Sequence, residues 1–555
     1  MPSTDIRREP TTIWAALERV ADTWPDTVAL TDLTDTPGTG TDAVTFAELR
    51  DRTERTSAKL VELGVGRGDT VATLVPTCTE WVETFLAVAR IGALLVPLNT
   101  RYRTEELSHL LRLSGARVLL TASEFEGVDF ADRLGEIAVL AGDDAVGVRH
   151  VVNVAGDPER LPGAWNTVPV DELTAHQLPL PPAGAEPDDP VIVFGTSGTT
   201  SAPKLAVHTH HTVTGQAAAV AERLDFGPGP AGLQVLSLSG TFGFVPFLSG
   251  LLVGKPAVLL PIFRLPRVLD ALADHDCDLL VAAEGSLREL LDVLTVDTAG
   301  GLRRMVTAGL DIRDIVAAAD AVGIEAANVY GSSEIFAFAA TTPPGADLEA
   351  RTIPGGPLTA PGMAARVRDP QTGEILPHGE VGDLEIGGDV LFVEYLHNTA
   401  STASCRTSDG WFRTGDSAKM LDARTFHYLA RANDTLRMGG YTVSPADVES
   451  TIEQLDAVAQ AQVVGVRDPR SGNDLGVAFV RPRPDAALEV ADVVEHCRAR
   501  LASFKVPVHV EVVESYPTIP SANGDKVRRD VLRDTAERLL AGTDRTVNTK
   551  EHASA

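Results

Sequence analysis

Apolar positions in the first third of the chain follow two rhythms. From Thr45 to Leu63 they recur every three or four residues, as in a helix with one buried face, whereas Thr70 to Val75 and Arg117 to Thr121 are short β-branched or leucine-rich runs of strand length. The two alternate from Ile13 to about Ala175, which predicts parallel sheets covered by helices. Gln177 to Pro190 (QLPLPPAGAEPDDP) is too rich in proline for either element and reads as a spacer leading into a strand at Val191 to Phe194. A second α/β stretch follows, with helices at Val268 to His275 and Gly285 to Leu294 around a strand at Asp278 to Ala283. From about Gly355 the pattern changes to strands and Gly/Asp turns, including Gly382 to Ile386 and Trp411 to Phe412. Beyond Arg431, helices at Pro445 to Leu455 and Val490 to Leu501 and strands at Gln460 to Val466 and Leu475 to Val480 predict a compact α+β unit. The expected fold class is α/β: a large N-terminal domain of two parallel-rich sheets covered by helices, with a small β subdomain, and then a small α+β C-terminal domain.

A chain of 555 residues exceeds what one core usually supports, so two or more domains are expected. The formal charge of -29 argues against nucleic acid and anionic membranes as partners, so any anionic ligand must meet a locally basic site. Cys78, Cys277, Cys405 and Cys497 lie far apart, without CxxC spacing, as thiols of a reducing compartment do. The N-terminus lacks the apolar core of a signal peptide, and the most apolar run, Leu251 to Phe263, is broken by Gly254, Lys255 and Pro256. A cytoplasmic protein without membrane insertion is expected. Its oligomeric state is not readable from the sequence, and a homodimer stays open.

The strand at Val191 runs into Thr196 to Lys204 (TSGTTSAPK), a run of small and hydroxylated residues whose N–H groups and hydroxyls can surround an anion while Lys204 supplies charge. It is not a Walker A loop, because a second glycine directly before the lysine is missing: Gly198 is followed by Thr199, Thr200, Ser201, Ala202 and Pro203. Gly227 to Gly232 (GPGPAG) matches GxGxxG formally, but Pro228 and Pro230 lack N–H groups and no clear strand precedes it, so it reads as a turn. His208, His210 and His211 have no matching ligand cluster elsewhere and read as support for the loop rather than as a metal site.

Four further strings follow in order: Asn328 to Glu334 (NVYGSSE), Trp411 to Asp416 (WFRTGD), Arg431 to Glu449 (RANDTLRMGGYTVSPADVE) and Ser521 to Arg529 (SANGDKVRR). With TSGTTSAPK, Gly92 to Pro97 (GALLVP) and Ser503 to Pro507 (SFKVP), they resemble the adenylate-forming superfamily of acyl-CoA synthetases, peptide-synthetase adenylation domains and luciferases, from about Thr45 to Arg533. The resemblance implies that a small-molecule carboxylic acid attacks the α-phosphate of ATP, giving an acyl-adenylate and pyrophosphate, and that a thiol then takes the acyl group. It implies an N-terminal adenylation domain over 1–432, with 355–432 as the β subdomain, and a mobile C-terminal domain over 433–541; 542–555 is expected to be a disordered tail.

Residue roles carry over position by position. Thr196, Ser197, Gly198, Thr199, Thr200 and Lys204 would hold the β- and γ-phosphates, although Ser201 and Leu205 stand where the family has glycines. Tyr330 would stack on adenine beside Gly309 and Gly331, Ser333 would touch the α-phosphate, and Glu334 would bind Mg2+, a hard cation that suits a carboxylate shared with phosphate oxygens. Asp416 would accept hydrogen bonds from the ribose hydroxyls, and Arg431 would bind ribose or phosphate oxygens. Asn433 stands at the hinge, where lysine or aspartate is usual. Rotation about it would exchange a face carrying Lys526 for one carrying Gly439, Gly440 and Tyr441, beside a pantetheine channel. Lys526 would be the catalytic lysine bridging carboxylate and α-phosphate oxygens, with Asp525 inserted after the usual glycine, Gly524.

Phe242, Gly243, Leu310 and Ile335 would line an acyl pocket. Amino-acid-activating members usually carry aspartate after a phenylalanine there; Gly243 follows Phe242 here, and an uncompensated ammonium would be costly, so an aromatic or medium-length apolar acid is expected. The acceptor is coenzyme A or a free-standing pantetheinyl carrier protein. A non-catalytic nucleotide-binding relative and a luciferase-like oxygenase are the alternatives from other classes.

Overall fold

A computed structural model describes residues 11–34, 43–102, 104–125, 128–141, 147–175, 178–196, 204–431, 436–438, 441–443, 445–468, 474–484, 486–501, 505–521 and 524–542. The expected α/β class is borne out. One sheet has eight strands, in the order Ala340–Thr341, Glu325–Tyr330, Arg304–Thr307, Cys277–Val281, Ala231–Gln234, Ala257–Leu259, Val28–Asp32 and Ala43–Thr45. It is parallel inside and antiparallel at both edges. A second, of seven strands, runs Lys204–Thr209, Pro190–Thr196, Leu94–Pro97, Thr70–Leu74, Val118–Thr121, His150–Asn153 and Asn166–Pro169, with only its first pair antiparallel. Short β-branched and leucine-rich runs form these strands because both faces are covered by helices.

Between the two sheets lies one apolar core, to which the helices Thr79–Ile91 and Thr241–Leu251 contribute. The second of these, TFGFVPFLSGL, is buried along its whole length, as expected of a helix without a polar face. Phe46–Glu62 begins at a capping box, in which Thr45 Oγ1 accepts the Glu48 N–H at 3.2 Å and the Glu48 carboxylate accepts the Thr45 N–H at 2.8 Å. Of GPGPAG, Gly227 to Pro230 is irregular chain and Ala231 and Gly232 already belong to the strand Ala231–Gln234.

Gly355–Pro357, Thr425–Arg431, Phe412–Met420, Val381–Gly387 and Ala364–Arg368 make a five-stranded antiparallel sheet with a core of its own. Beyond it, Val458–Arg467, Asp474–Pro482 and His509–Val512 form a three-stranded sheet against the helices Pro445–Glu453 and Val490–Arg500, around another separate core. The helix Arg529–Gly542 closes the described chain; the remainder of the expected tail, 543–555, lies outside the described residues. No helix among the described residues is long and apolar enough to cross a membrane.

Candidate active site

The antiparallel strands Pro190–Thr196 and Lys204–Thr209 set Thr196 opposite Lys204, so the two ends of the hydroxyl-rich loop stand side by side. Ser197, Gly198, Thr199 and Thr200, and the departure at Ser201, lie outside the described residues. The helix His210–Arg223 starts immediately after the hairpin because Thr209 and Thr212 cap each other reciprocally, at 3.2 and 3.0 Å. The segment after Tyr330 is tied to both strands: Ser333 Oγ donates to the Gly195 carbonyl at 3.3 Å, and His208 Nε2 donates to the Ser333 carbonyl at 2.8 Å. That bond fixes the His208 tautomer, and burial pushes its pKa down to about 4, so the ring is neutral at pH 7.

Glu334 accepts a 2.8 Å hydrogen bond from Tyr395 Oη, and Lys204 Nζ lies 5.1 Å from the centre of the same tyrosine ring. Among the described residues no group of three or more His, Cys, Asp or Glu could hold a metal ion by itself. A magnesium ion on Glu334 would therefore need phosphate and water oxygens for its remaining ligands, and a lone carboxylate beside the phosphate hairpin fits that way of binding.

Tyr330, Gly331, Gly309, Leu310 and Asp416 line one cavity of about 1080 Å³. Tyr330 Oη donates to Asp416 Oδ2 at 2.5 Å, joining two residues that the sequence assigns to separate tasks. The tyrosine is 7% exposed and its ring packs against Phe426 and Tyr428, with centroids 5.1 and 5.3 Å away. Gly309 and the buried Asn328 bond reciprocally: the glycine N–H donates to Asn328 Oδ1 at 3.2 Å, and Asn328 Nδ2 donates to the glycine carbonyl at 2.8 Å. Gly331 has no room for a side chain, since a Cβ there would stand 2.5 Å from Ala337 Cα.

The opposite wall comes from the C-terminal unit. Glu449 is buried, its pKa raised by burial against the opposing Arg529 guanidinium, and its Oε1 accepts from Arg529 at 2.7 Å and from the Val463 N–H at 2.7 Å. Lys526 lies in the strand Gly524–Val527, paired with Ile519, three residues before the cavity-lining Arg529. Arg431 ends its strand as the partner of Asp416, and Tyr441 opens the strand Tyr441–Val443 opposite Met438. Asn433, Gly439 and Gly440 lie outside the described residues.

The four pocket residues are not brought together. Leu310 is 44% exposed at the cavity. Ile335 is fully buried in the cluster that joins Tyr330 to the five-stranded sheet, and Phe242 stacks on Phe338 with centroids 5.9 Å apart. A Cβ on Gly243 would come within 2.5 Å of the Ser237 carbonyl, so no side chain fits there. Sequence reasoning missed Tyr395, Asn328, Glu449 and Arg529 as site residues. Asn328 and Arg529 stood at the ends of strings already singled out, whereas Tyr395 lay in an apolar run without a signal.

The AMP-binding enzyme family matches residues 17–396, and the AMP-binding enzyme C-terminal domain matches residues 447–523. The chain belongs to this family, within the adenylate-forming superfamily, and it is an AMP-forming acid–thiol ligase. It is 31% identical over 540 residues to a (methyl-dioxo-octahydroindenyl)propanoyl:CoA ligase of Rhodococcus jostii, covering 95% of this chain and 99% of that one. Over 524 residues it is 26% identical to the medium-chain acyl-CoA ligase ACSF2 of Danio rerio, covering 89% and 84%. The crystal structure of ATP-bound MatB from Rhodopseudomonas palustris is similar at a TM-score of 0.79 and 25% identity, over 95% of this chain and 100% of that one.

Proposed function

We propose that this enzyme joins an aromatic or medium-length apolar carboxylic acid to coenzyme A, through an acyl-adenylate. An acid oxygen bonds to the α-phosphorus of ATP, the bridging bond to the β-phosphate breaks, and pyrophosphate leaves; the CoA sulfur then attacks the acyl carbon, and AMP leaves as the thiol proton is lost. The observation that carries the reading is a single cavity with the Tyr330–Asp416 pair on one wall and, on the other, Arg529, close in sequence to Lys526. An anionic nucleophile approaching a polyanion needs such converging donors and charge. Lys204 and Thr196 would hold the departing pyrophosphate, Asp416 the ribose, and Lys526 the charge that builds between carboxylate and α-phosphate. Magnesium at Glu334 would neutralise the phosphates. Exchange of the C-terminal unit's face about Asn433 would then bring the Gly439–Tyr441 segment to the adenylate for thioester formation.

The apolar preference rests on Leu310 at the cavity and on Gly243, which follows Phe242 where an ammonium-binding aspartate would be needed and has no room for a side chain. The R. jostii relative, named for a bicyclic propanoyl substrate, and the D. rerio relative, named for medium-chain acids, agree with it. A panel of aryl, medium-chain, short dicarboxylic and α-amino acids, assayed for AMP release and for the thioester by mass spectrometry, is the test. Aryl or medium-chain acids are expected to turn over best. Turnover confined to amino acids or short diacids would remove the substrate assignment, and AMP release without a CoA thioester would point to a carrier-protein acceptor.

A further inference from the structure

Lys204 and Glu334 carry opposite charges and face the same tyrosine, yet they form no ion pair. Tyr395 is only 6% exposed, and its ring and hydroxyl address different partners: the ring lies 5.1 Å from the Lys204 ammonium, and the hydroxyl donates to Glu334 Oε1 at 2.8 Å. A cation over an aromatic face is held without spending its charge on a carboxylate. A carboxylate that accepts one phenolic hydrogen bond keeps its full charge and most of its lone pairs.

The ring is also fixed in place. Its segment is strapped to the strand Lys204–Thr209 by bonds from the Val393 N–H to the Val207 carbonyl (2.8 Å), from the Val207 N–H to the Glu394 carbonyl (2.9 Å) and from the Leu396 N–H to the Leu205 carbonyl (2.8 Å). The Tyr395 N–H donates to Thr402 Oγ1 at 2.9 Å, and the Phe392 N–H donates to the Glu334 carbonyl at 2.8 Å. The lysine's strand, the tyrosine and the glutamate thus form one hydrogen-bonded unit.

We propose that Tyr395 is a positioning residue that keeps Lys204 and Glu334 from neutralising each other before nucleotide binds, so that the ammonium stays available to phosphate oxygens and the carboxylate to the metal that accompanies them. This rests on the assignment of Lys204 to phosphate and Glu334 to magnesium made above. Without the ring, the ammonium would fold onto the carboxylate and both charges would be spent. Catalytic donors and charges that are already oriented need no rearrangement as the reaction proceeds.

The test uses the full chain and inorganic pyrophosphate without metal, with binding read by calorimetry. Tyr395→Leu is expected to weaken pyrophosphate binding about tenfold, the change that corresponds to about 1.4 kcal/mol. Glu334→Gln should then strengthen binding at least about fivefold more in the Tyr395→Leu background than in the wild type, because only there does it release a captured lysine. Tyr395→Phe keeps the ring, so it should bind metal-free pyrophosphate normally while raising, about threefold or more, the magnesium concentration that half-saturates ATP–pyrophosphate exchange. Unchanged binding in Tyr395→Leu, or equal effects of Glu334→Gln in both backgrounds, overturns the proposal. Should Tyr395→Leu not fold, Tyr395→Phe decides alone, and an unmoved magnesium dependence overturns it. Lys204→Ala separates the two readings: if it too leaves pyrophosphate binding intact, the assignment of the 196–204 loop fails instead.

Discussion

On the N-terminal wall of the cavity, side chains are anchored to neighbours deep in the same unit. Tyr330 bonds to Asp416, Asn328 grips Gly309 from both sides, and Ser333 is tied to the phosphate hairpin through Gly195 and His208. The C-terminal wall is likewise satisfied from within, by charged side chains. Arg529 pairs with Glu449, and Arg481 donates to Gln460 at 3.3 Å, so each of these bonds stays within its own unit. None of these bonds crosses between the walls, so the proposed exchange of faces would leave both sets intact, with the N-terminal set as the nucleotide seat. A fixed wall and an exchangeable one are what two reactions at one site require.

The largest expected effect tests this division directly. Replacing Lys526 by alanine should slow acid-dependent ATP–pyrophosphate exchange by about 10²- to 10³-fold, the usual result of removing one transition-state donor. ATP affinity, supplied by the fixed wall, should stay within about threefold of wild type by calorimetry. Near-normal exchange would remove the lysine from its role, and a matching loss of ATP binding would mean that the C-terminal wall also holds the ground state.

The second effect belongs to the N-terminal unit alone. His210 is fully buried at the start of the helix after the phosphate hairpin, and its Nδ1 accepts the Ile13 N–H at 3.2 Å. Burial pushes its pKa down to about 4, against the pull of Asp189. A pKa depressed on folding gives stability that is complete above the unfolded value near 6.5 and lost as pH falls towards 4, at most about 3 kcal/mol. Glu83 opposes it in the raw profile: burial raises its pKa to about 7, so its contribution is largest at low pH and disappears as pH rises from 4.5 to 7. The difference between wild type and His210→Asn in urea denaturation isolates the histidine. The wild type should lose ground to the variant by about 2–3 kcal/mol between pH 7 and pH 4. A constant difference would mean that the ring is not held neutral.

The rhythm of helices and strands was legible because it is local: a three-to-four-residue period or a short β-branched run states its own element. The helix Thr241–Leu251 escaped that logic, being apolar on every side, and its segment read only as pocket lining. The bond between Tyr330 and Asp416 spans 86 residues, and the one between Tyr395 and Glu334 spans 61, distances over which no sequence period carries information. Least legible is the turn after Glu334. Phe336, Ala337 and Phe338 all take left-handed backbone angles, φ 52°, 43° and 42°, without the glycine or asparagine that announces them. The buried Gln216 amide donates to the carbonyls of Ala337 and Phe338 at 2.9 and 3.1 Å, so tertiary bonding fixes a conformation that local preference opposes. That is strain stored beside candidate catalytic residues, and it belongs to the N-terminal wall.

The smallest effect compares Gly331 of the N-terminal wall with a glycine inside the C-terminal unit. A Cβ on Gly331 would meet only backbone, Ala337 Cα at 2.5 Å, its carbonyl carbon at 2.7 Å and Phe338 N at 2.8 Å, and that backbone is the left-handed turn clamped by Gln216. A Cβ on Gly476 in the C-terminal unit comes equally close, 2.5 Å, but to the terminal methyl of Met438, which can swing aside. Gly331→Ala should therefore cost about 1–3 kcal/mol and weaken ATP binding, while Gly476→Ala should cost less than about 1 kcal/mol and leave it unchanged. Equal costs in thermal melts would show that the two units yield alike, and the distinction between a rigid seat and a forgiving moving unit would have to be given up.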